Sequence, residues 1–125
     1  MNRKICSYTE LDGTVPVSEF IRRLDHKLQK KIREQLKQIE NPLFNLQPPH
    51  IKAFKQNRYK GFYELRTRIR QAVRIIFILD SDGSIVLLHG FVKKSDRATE
   101  RALETARVRQ LALASGLAEI KDFNL

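Results

Sequence analysis

Along the first third of the chain, apolar residues recur at three- and four-residue steps. Val17, Phe20, Ile21 and Leu24 share one face, and Pro16 suits the opening turn of a helix, where its missing N–H is not needed. Asp25 can cap a second helix. In it Leu28, Ile32, Leu36 and Ile39 form an apolar stripe, while Lys27, Lys30, Lys31, Arg33, Glu34 and Lys37 face water. Pro42 ends that helix, so the pattern predicts a helical hairpin. Residues 45–50, with Pro48 and Pro49, read as a loop leading into a short strand over 51–54.

The period then changes from 3.6 to 2. Over 62–69, Tyr63, Leu65, Thr67 and Ile69 alternate with Glu64, Arg66, Arg68 and Arg70, which predicts a strand with one wet, basic face. Residues 72–79 and 85–92 are nearly continuous in apolar, mostly β-branched side chains, as in central strands covered on both sides. Asp80-Ser81-Asp82-Gly83 is a hairpin turn between them. The turn over 68–71 lacks Gly, Asn and Asp. A last helix starts at Ser95 or Asp96, turns Ala98, Ala102, Leu103 and Ala106 to the core, and stops before Gly116. The expected architecture is α+β: an N-terminal helical hairpin, a small mainly antiparallel sheet and a C-terminal helix. A further strand at residues 5–8 is an open alternative.

Composition narrows the function classes. One hundred and twenty-five residues with 42% hydrophobic content suit a single domain over 1–125. Twenty-four Lys+Arg against 14 Asp+Glu give a net charge of +10, which points to a polyanionic partner. The single cysteine, Cys6, excludes an internal disulfide framework and a Cys-based zinc cluster. No run of 18 apolar residues and no signal-peptide pattern occurs, so a soluble, cytoplasmic protein without membrane contact is expected.

The basic residues between positions 52 and 74 are Lys52, Lys55, Arg58, Lys60, Arg66, Arg68, Arg70 and Arg74, opposed only by Glu64, and Tyr59, Phe62 and Tyr63 lie among them. Cations interleaved with aromatics suit a phosphate backbone whose bases can stack. Lys52, Lys55, Arg58, Lys60, Tyr63, Arg68 and Arg70, with Phe91 on the last strand, form the candidate RNA-binding set; a merely solvated strand face is the plain alternative. Arg74 differs because it lies inside Val73-Arg74-Ile75-Ile76-Phe77. A buried, unpaired guanidinium costs several kcal/mol, so Arg74 either snorkels, pairs with an acid such as Glu64, or is held in a functional cleft.

Pairing across the turn at 80–83 brings Arg74 near the Phe91 end of the next strand, and Lys93 and Lys94 close that strand. Arg66 approaches the same edge from the neighbouring strand. Arg66, Arg74, Lys93 and Lys94 are therefore the candidate catalytic residues, able to grip a scissile phosphate and stabilise the charge that builds as an adjacent 2′-hydroxyl attacks. Arginine stays protonated, so Arg66 and Arg74 are electrostatic stabilisers and a lysine is the candidate proton donor. His89 reads as a hydrogen-bonded core histidine and His50 as a loop residue; neither has a second histidine at an acid/base spacing. No carboxylate pair suggests a bound metal, and no cofactor is expected.

The segments GFYELR, VRIIF and IVLLHGFVKKSDR, followed by an alanine-rich helix containing ALETARVR, resemble the RelE/ParE superfamily of bacterial toxins, in its phage-related HigB-like branch. The similarity covers residues 17–111. It implies a RelE-like fold and the toxin of a type II toxin-antitoxin pair. In RelE-like members the activity is metal-free cleavage of mRNA in the ribosomal A site. By motif, Arg66 matches the basic position of the first long strand, Arg74 the arginine of the next, and Lys93 or Lys94 the basic residue after the last. Implied partners are the ribosome with its mRNA and an acidic or helix-turn-helix antitoxin from the adjacent gene. ParE relatives poison DNA gyrase on the same fold, so gyrase poisoning or non-catalytic nucleic-acid binding is the alternative.

Overall fold

The structure is a computed structural model that describes residues 2–124. Among these, six strands and three α-helices follow one another in the order β1 (Ile5–Glu10), α1 (Pro16–Arg22), α2 (His26–Glu40), β2 (Ile51–Ala53), β3 (Phe62–Ile69), β4 (Gln71–Leu79), β5 (Ile85–Val92), α3 (Asp96–Ala114) and β6 (Ala118–Asp122). The strands form one sheet in the order β2-β3-β4-β5-β1-β6. The pair β1/β5 is parallel and the others are antiparallel.

This corrects the expected fold class. The chain opens on a strand and not on the helical hairpin, and the sheet is six-stranded and mixed. The strand left open at 5–8 exists, runs to Glu10, and separates β5 from a sixth strand after the last helix. Pattern reading missed β6 because its sequence, AEIKD, carries little apolar material: it is an outer strand that buries only Ala118.

The helices begin as the sequence predicts. Pro16 occupies the first turn of α1, Asp25 accepts from Leu28 N at 2.9 Å, and Ser95 accepts from Ala98 N at 3.2 Å. The hairpin α1–α2 covers one face of the sheet: Val17, Ile21, Leu28, Ile32, Leu36 and Ile39 pack on Ile51, Leu65, Val73, Ile75, Phe77 and Leu87. Helix α3 covers the other face with Ala102, Leu103 and Ala106 against Phe62, Ile76, Val86 and Leu88. Two-sided cover explains why β4 and β5 are almost unbroken in apolar residues. Each fully buried side chain of this kind contributes about 1.5–3 kcal/mol.

Two backbone details set the site. Arg70 makes the β3–β4 turn at φ +65°, the left-handed conformation that a residue with a Cβ adopts at a cost of roughly 1–2 kcal/mol. In β5, Gly90 lies beneath the ring of Phe20 from α1. A Cβ on Gly90 would stand 2.8 Å from Phe20 Cε2 and closer still to Cδ2. Gly90→Ala should therefore lower stability by about 1–3 kcal/mol through overpacking. Urea unfolding measures this, and a loss below about 0.5 kcal/mol would show that the ring has room to move.

Candidate nucleic-acid interface

Pairing of β3 with β4 sets Arg66 directly opposite Arg74, and pairing of β4 with β5 sets Arg74 opposite Phe91. Lys52 is opposite Glu64 on the outer side of β3. Period-two alternation turns Lys52, Glu64, Arg66, Arg74 and Phe91 to the α3 face of the sheet. The expectation of a wet face fails at one point. Glu64 is buried, its side chain only 2% exposed.

Glu64 answers the question of Arg74. Its Oε1 lies 3.2 Å from Arg66 Nε and 3.5 Å from Arg74 Nε, so one carboxylate oxygen holds two guanidiniums that face each other across the strands. Arg74 also donates from Nη1 to the Val73 carbonyl at 3.1 Å. Burial pushes the Arg74 guanidinium below its ordinary pKa, opposed by Glu64. Side-chain exposure rises from 14% at Arg74 to 32% at Arg66, so the pair leads from the interior to solvent.

Two cavities meet at Arg66. The larger, about 990 Å³, lies between the 46–56 segment and the start of α3; Lys52, Lys55, Arg66 and Lys93 face Asp96 and Glu100 across it, with Phe54 and Leu103 among its apolar lining. The smaller, about 200 Å³, is lined by Lys31, His50, Arg66, Arg68 and Arg74. Lys93 Nζ lies 3.7 Å from the exposed carboxylate of Asp96 in the first turn of α3, a contact that restrains it only weakly. Arg66 therefore borders both cavities, with Lys93 on the larger only and Arg74 on the smaller only.

The other sequence candidates fall elsewhere. Lys94 is exposed and lines neither cavity. Arg58 is bound to Glu104 of α3 at 2.8 Å, and Tyr59 and Arg107 converge on the same carboxylate at 2.7 and 3.2 Å. The hydrogen bond from Tyr59 holds the Glu104 carboxyl below its usual range. Lys60 is exposed beside the entry to β3, and Arg70 is exposed in the turn. Tyr63 points to the opposite face, half-buried and stacked on Phe77 at 5.3 Å between ring centroids, against the core under the helical hairpin. Sequence reasoning passed over Lys31, Asp96, Thr99 and Glu100 as cavity residues. Their contribution depends on where α2 and α3 pack, which no local pattern carries.

His89 is half-buried on the α3 face, stacked on Phe91 at 5.9 Å, and its Nδ1 lies 3.1 Å from Arg109 Nη1. Arginine can only donate, so Nδ1 accepts and the proton sits on Nε2. Burial and then the Arg109 charge push its pKa from 6.5 down to about 4. His50 is exposed in the loop, and its carbonyl accepts from Arg66 N at 2.8 Å. Among the described residues no group of three His, Cys, Asp or Glu side chains could hold a metal ion, and no helix is long and apolar enough to cross a membrane.

A family described as Phage derived protein Gp49-like (DUF891) matches residues 19–111, from within α1 to near the end of α3. No curated relative matches the chain.

Two consequences can be measured. Glu64→Gln leaves two facing guanidiniums without a counter-charge and should cost about 3 kcal/mol, the low end for breaking a buried pair, because Arg66 reaches solvent. Denaturant unfolding of the variant reads this directly, and a loss under 1 kcal/mol would mean that water already screens the pair. His89 binds its proton more weakly folded than unfolded, so its contribution is complete above pH 6.5 and is lost as the pH falls toward about 4. Unfolding free energy should drop over that window with a slope approaching one proton, and His89→Gln should flatten it.

Proposed function

This chain belongs to the Gp49-like family of phage-derived proteins, a toxin-like family of the RelE/HigB type, and on that premise we propose that it is the toxin of a type II toxin-antitoxin pair that cleaves ribosome-bound mRNA. The observation that carries the reading is Arg66, which faces Arg74 across β3 and β4 and borders, with Lys93, a cavity of about 990 Å³. In this reading Arg66, the more exposed arginine, contacts the scissile phosphate, and Arg74 reinforces it from behind. The 2′-hydroxyl loses its proton to solvent water as its oxygen attacks phosphorus, and the bond to the 5′-oxygen breaks with Lys93 giving that leaving oxygen its proton. A 2′,3′-cyclic phosphate remains, and Lys93 regains a proton from water. Preorganised cations of this kind act where negative charge grows on the phosphate, so no metal is called for. Lys52 and Lys55 hold the flanking backbone across the larger cavity, and Arg68 does so at the smaller one.

A protein of this charge that cuts mRNA needs a restraint, which the proposal assigns to an acidic or helix-turn-helix antitoxin encoded beside it, in the cytoplasm where ribosomes are met. Charge complementarity would speed and orient that association.

Induced expression with mapping of RNA 5′ ends tests the reading. Wild type should arrest growth and produce new 5′ ends at codon positions. Lys93→Ala and Arg74→Ala, each checked by thermal unfolding, should lower cleavage by about 10²–10³-fold. Growth arrest with intact mRNA and a DNA-damage response would instead identify a gyrase poison. Binding to ribosomes should weaken with salt by a log–log slope of roughly −0.7 to −0.9 per phosphate neutralised, and salt-insensitive binding would contradict an interface of cations.

A further inference from the structure

Strand β5 contains one residue too many for its neighbour. From the turn, Leu79 pairs with Ile85, Ile78 with Val86 and Phe77 with Leu87; the next pair is Ile76 with His89, so Leu88 has no partner on β4. The parallel pairing of β5 with β1 also ends at Leu87. Leu88 is therefore a bulge at the centre of the sheet, away from the edges where bulges are usual.

The bulge decides what reaches the cationic cavity. Continued without the extra residue, the hairpin would set Gly90 opposite Arg74, and Phe91 would turn to the face covered by α1 and α2. With it, Phe91 stands opposite Arg74 on the α3 face, Gly90 falls under Phe20, and Lys93 N reaches the Ala72 carbonyl at 2.7 Å. Where Lys93 sits relative to Arg66 thus follows from one unpaired residue five positions earlier.

Arg109 of α3 holds that residue. Its Nη1 donates to the Leu88 carbonyl at 2.7 Å and faces His89 Nδ1 at 3.1 Å, while its guanidinium lies 5.3 Å from the Tyr8 ring centroid. Arg109 makes no salt bridge to a carboxylate among the described residues, although burial disfavours its charge. Tyr8 and Glu10 offset part of that cost, but the direct hydrogen-bond partners of this half-buried cation are one carbonyl and one neutral imidazole. They are the bulged residue and the one after it.

We infer that Arg109 is a positioning residue: by clamping the β5 bulge at Leu88 and His89 from α3, it sets the register that brings Phe91 against Arg74 and Lys93 to the cavity. The register claim stands on geometry alone; its effect on cleavage rests on the nuclease reading above.

Arg109→Met and Arg109→Gln remove the charge and keep an apolar or a short polar stem, and Arg109→Lys keeps a charged donor. Cross-strand proton contacts between Arg74 and Phe91, with amide exchange at Lys93, report the register by NMR in the full chain. The expected result is loss of the Arg74–Phe91 contact and faster Lys93 exchange in Arg109→Met and Arg109→Gln, with far-UV circular dichroism retained, and recovery of both in Arg109→Lys. Cleavage should fall by about 10²-fold in the first two variants, as for a misplacement on the order of 1 Å. An unchanged Arg74–Phe91 contact in the folded Met or Gln variant overturns the inference, whatever its activity. Wild type that cleaves no RNA, with the register still dependent on Arg109, overturns the nuclease reading and leaves the clamp standing. Two neutral variants are used so that one failure to fold does not silence the test.

Discussion

Two guanidinium groups set directly across adjacent strands repel unless a negative charge stands between them. In this protein that charge is Glu64, two residues before Arg66 on the same face of the strand and within ion-pair distance of both arginines. Its burial makes the arrangement stringent, since a carboxylate removed from water needs cations as much as they need it. The consequence is a rigid cationic ridge anchored in the core and opening toward solvent at Arg66. Lys93, beside Asp96 at the entry to α3, lines the larger cavity with Arg66.

The two faces of the sheet serve different ends. The face under α1 and α2 is mainly apolar, with Ser7, Thr9 and the hydrogen-bonded pair of Gln35 and Thr67 as buried polar exceptions. The α3 face is divided: apolar contacts fill the end near the 80–83 turn, and charge occupies the end near Arg66. Helix α3 joins the halves, contributing Ala102, Leu103 and Ala106 to the core, Glu104 to the Arg58 and Tyr59 cluster, and Arg109 to the β5 bulge. A single helix thus packs the sheet, secures the 57–59 turn and clamps the strand that ends at Lys93.

Much of this was legible from local pattern. The bounds of β3 and β5, the caps at Asp25 and Ser95 and the turn at Asp80-Ser81-Asp82-Gly83 all depend on neighbours in sequence, and the structure reproduces them. That Arg74 comes near the Phe91 end of β5 was also anticipated from the turn, although a regular hairpin would face it with Gly90. The bulge that sets Phe91 opposite Arg74 was invisible, because Leu88 and His89 carry no mark of it. Tyr63 shows the converse: it lies among basic residues in sequence, yet alternation sends it to the far face, stacked on Phe77.

The amino-acid order by itself determined the helix stripes, the strand alternation and the excess of positive charge, because each follows from periodicity, capping and composition within a few residues. Tertiary structure alone decided that β1 inserts beside β5 and that β6 closes the sheet, since strand partners distant along the chain are chosen by burial and backbone pairing. It likewise decided that Glu64 is buried between two arginines and that Arg109 meets Leu88, because those contacts exist only once α3 has docked on the sheet.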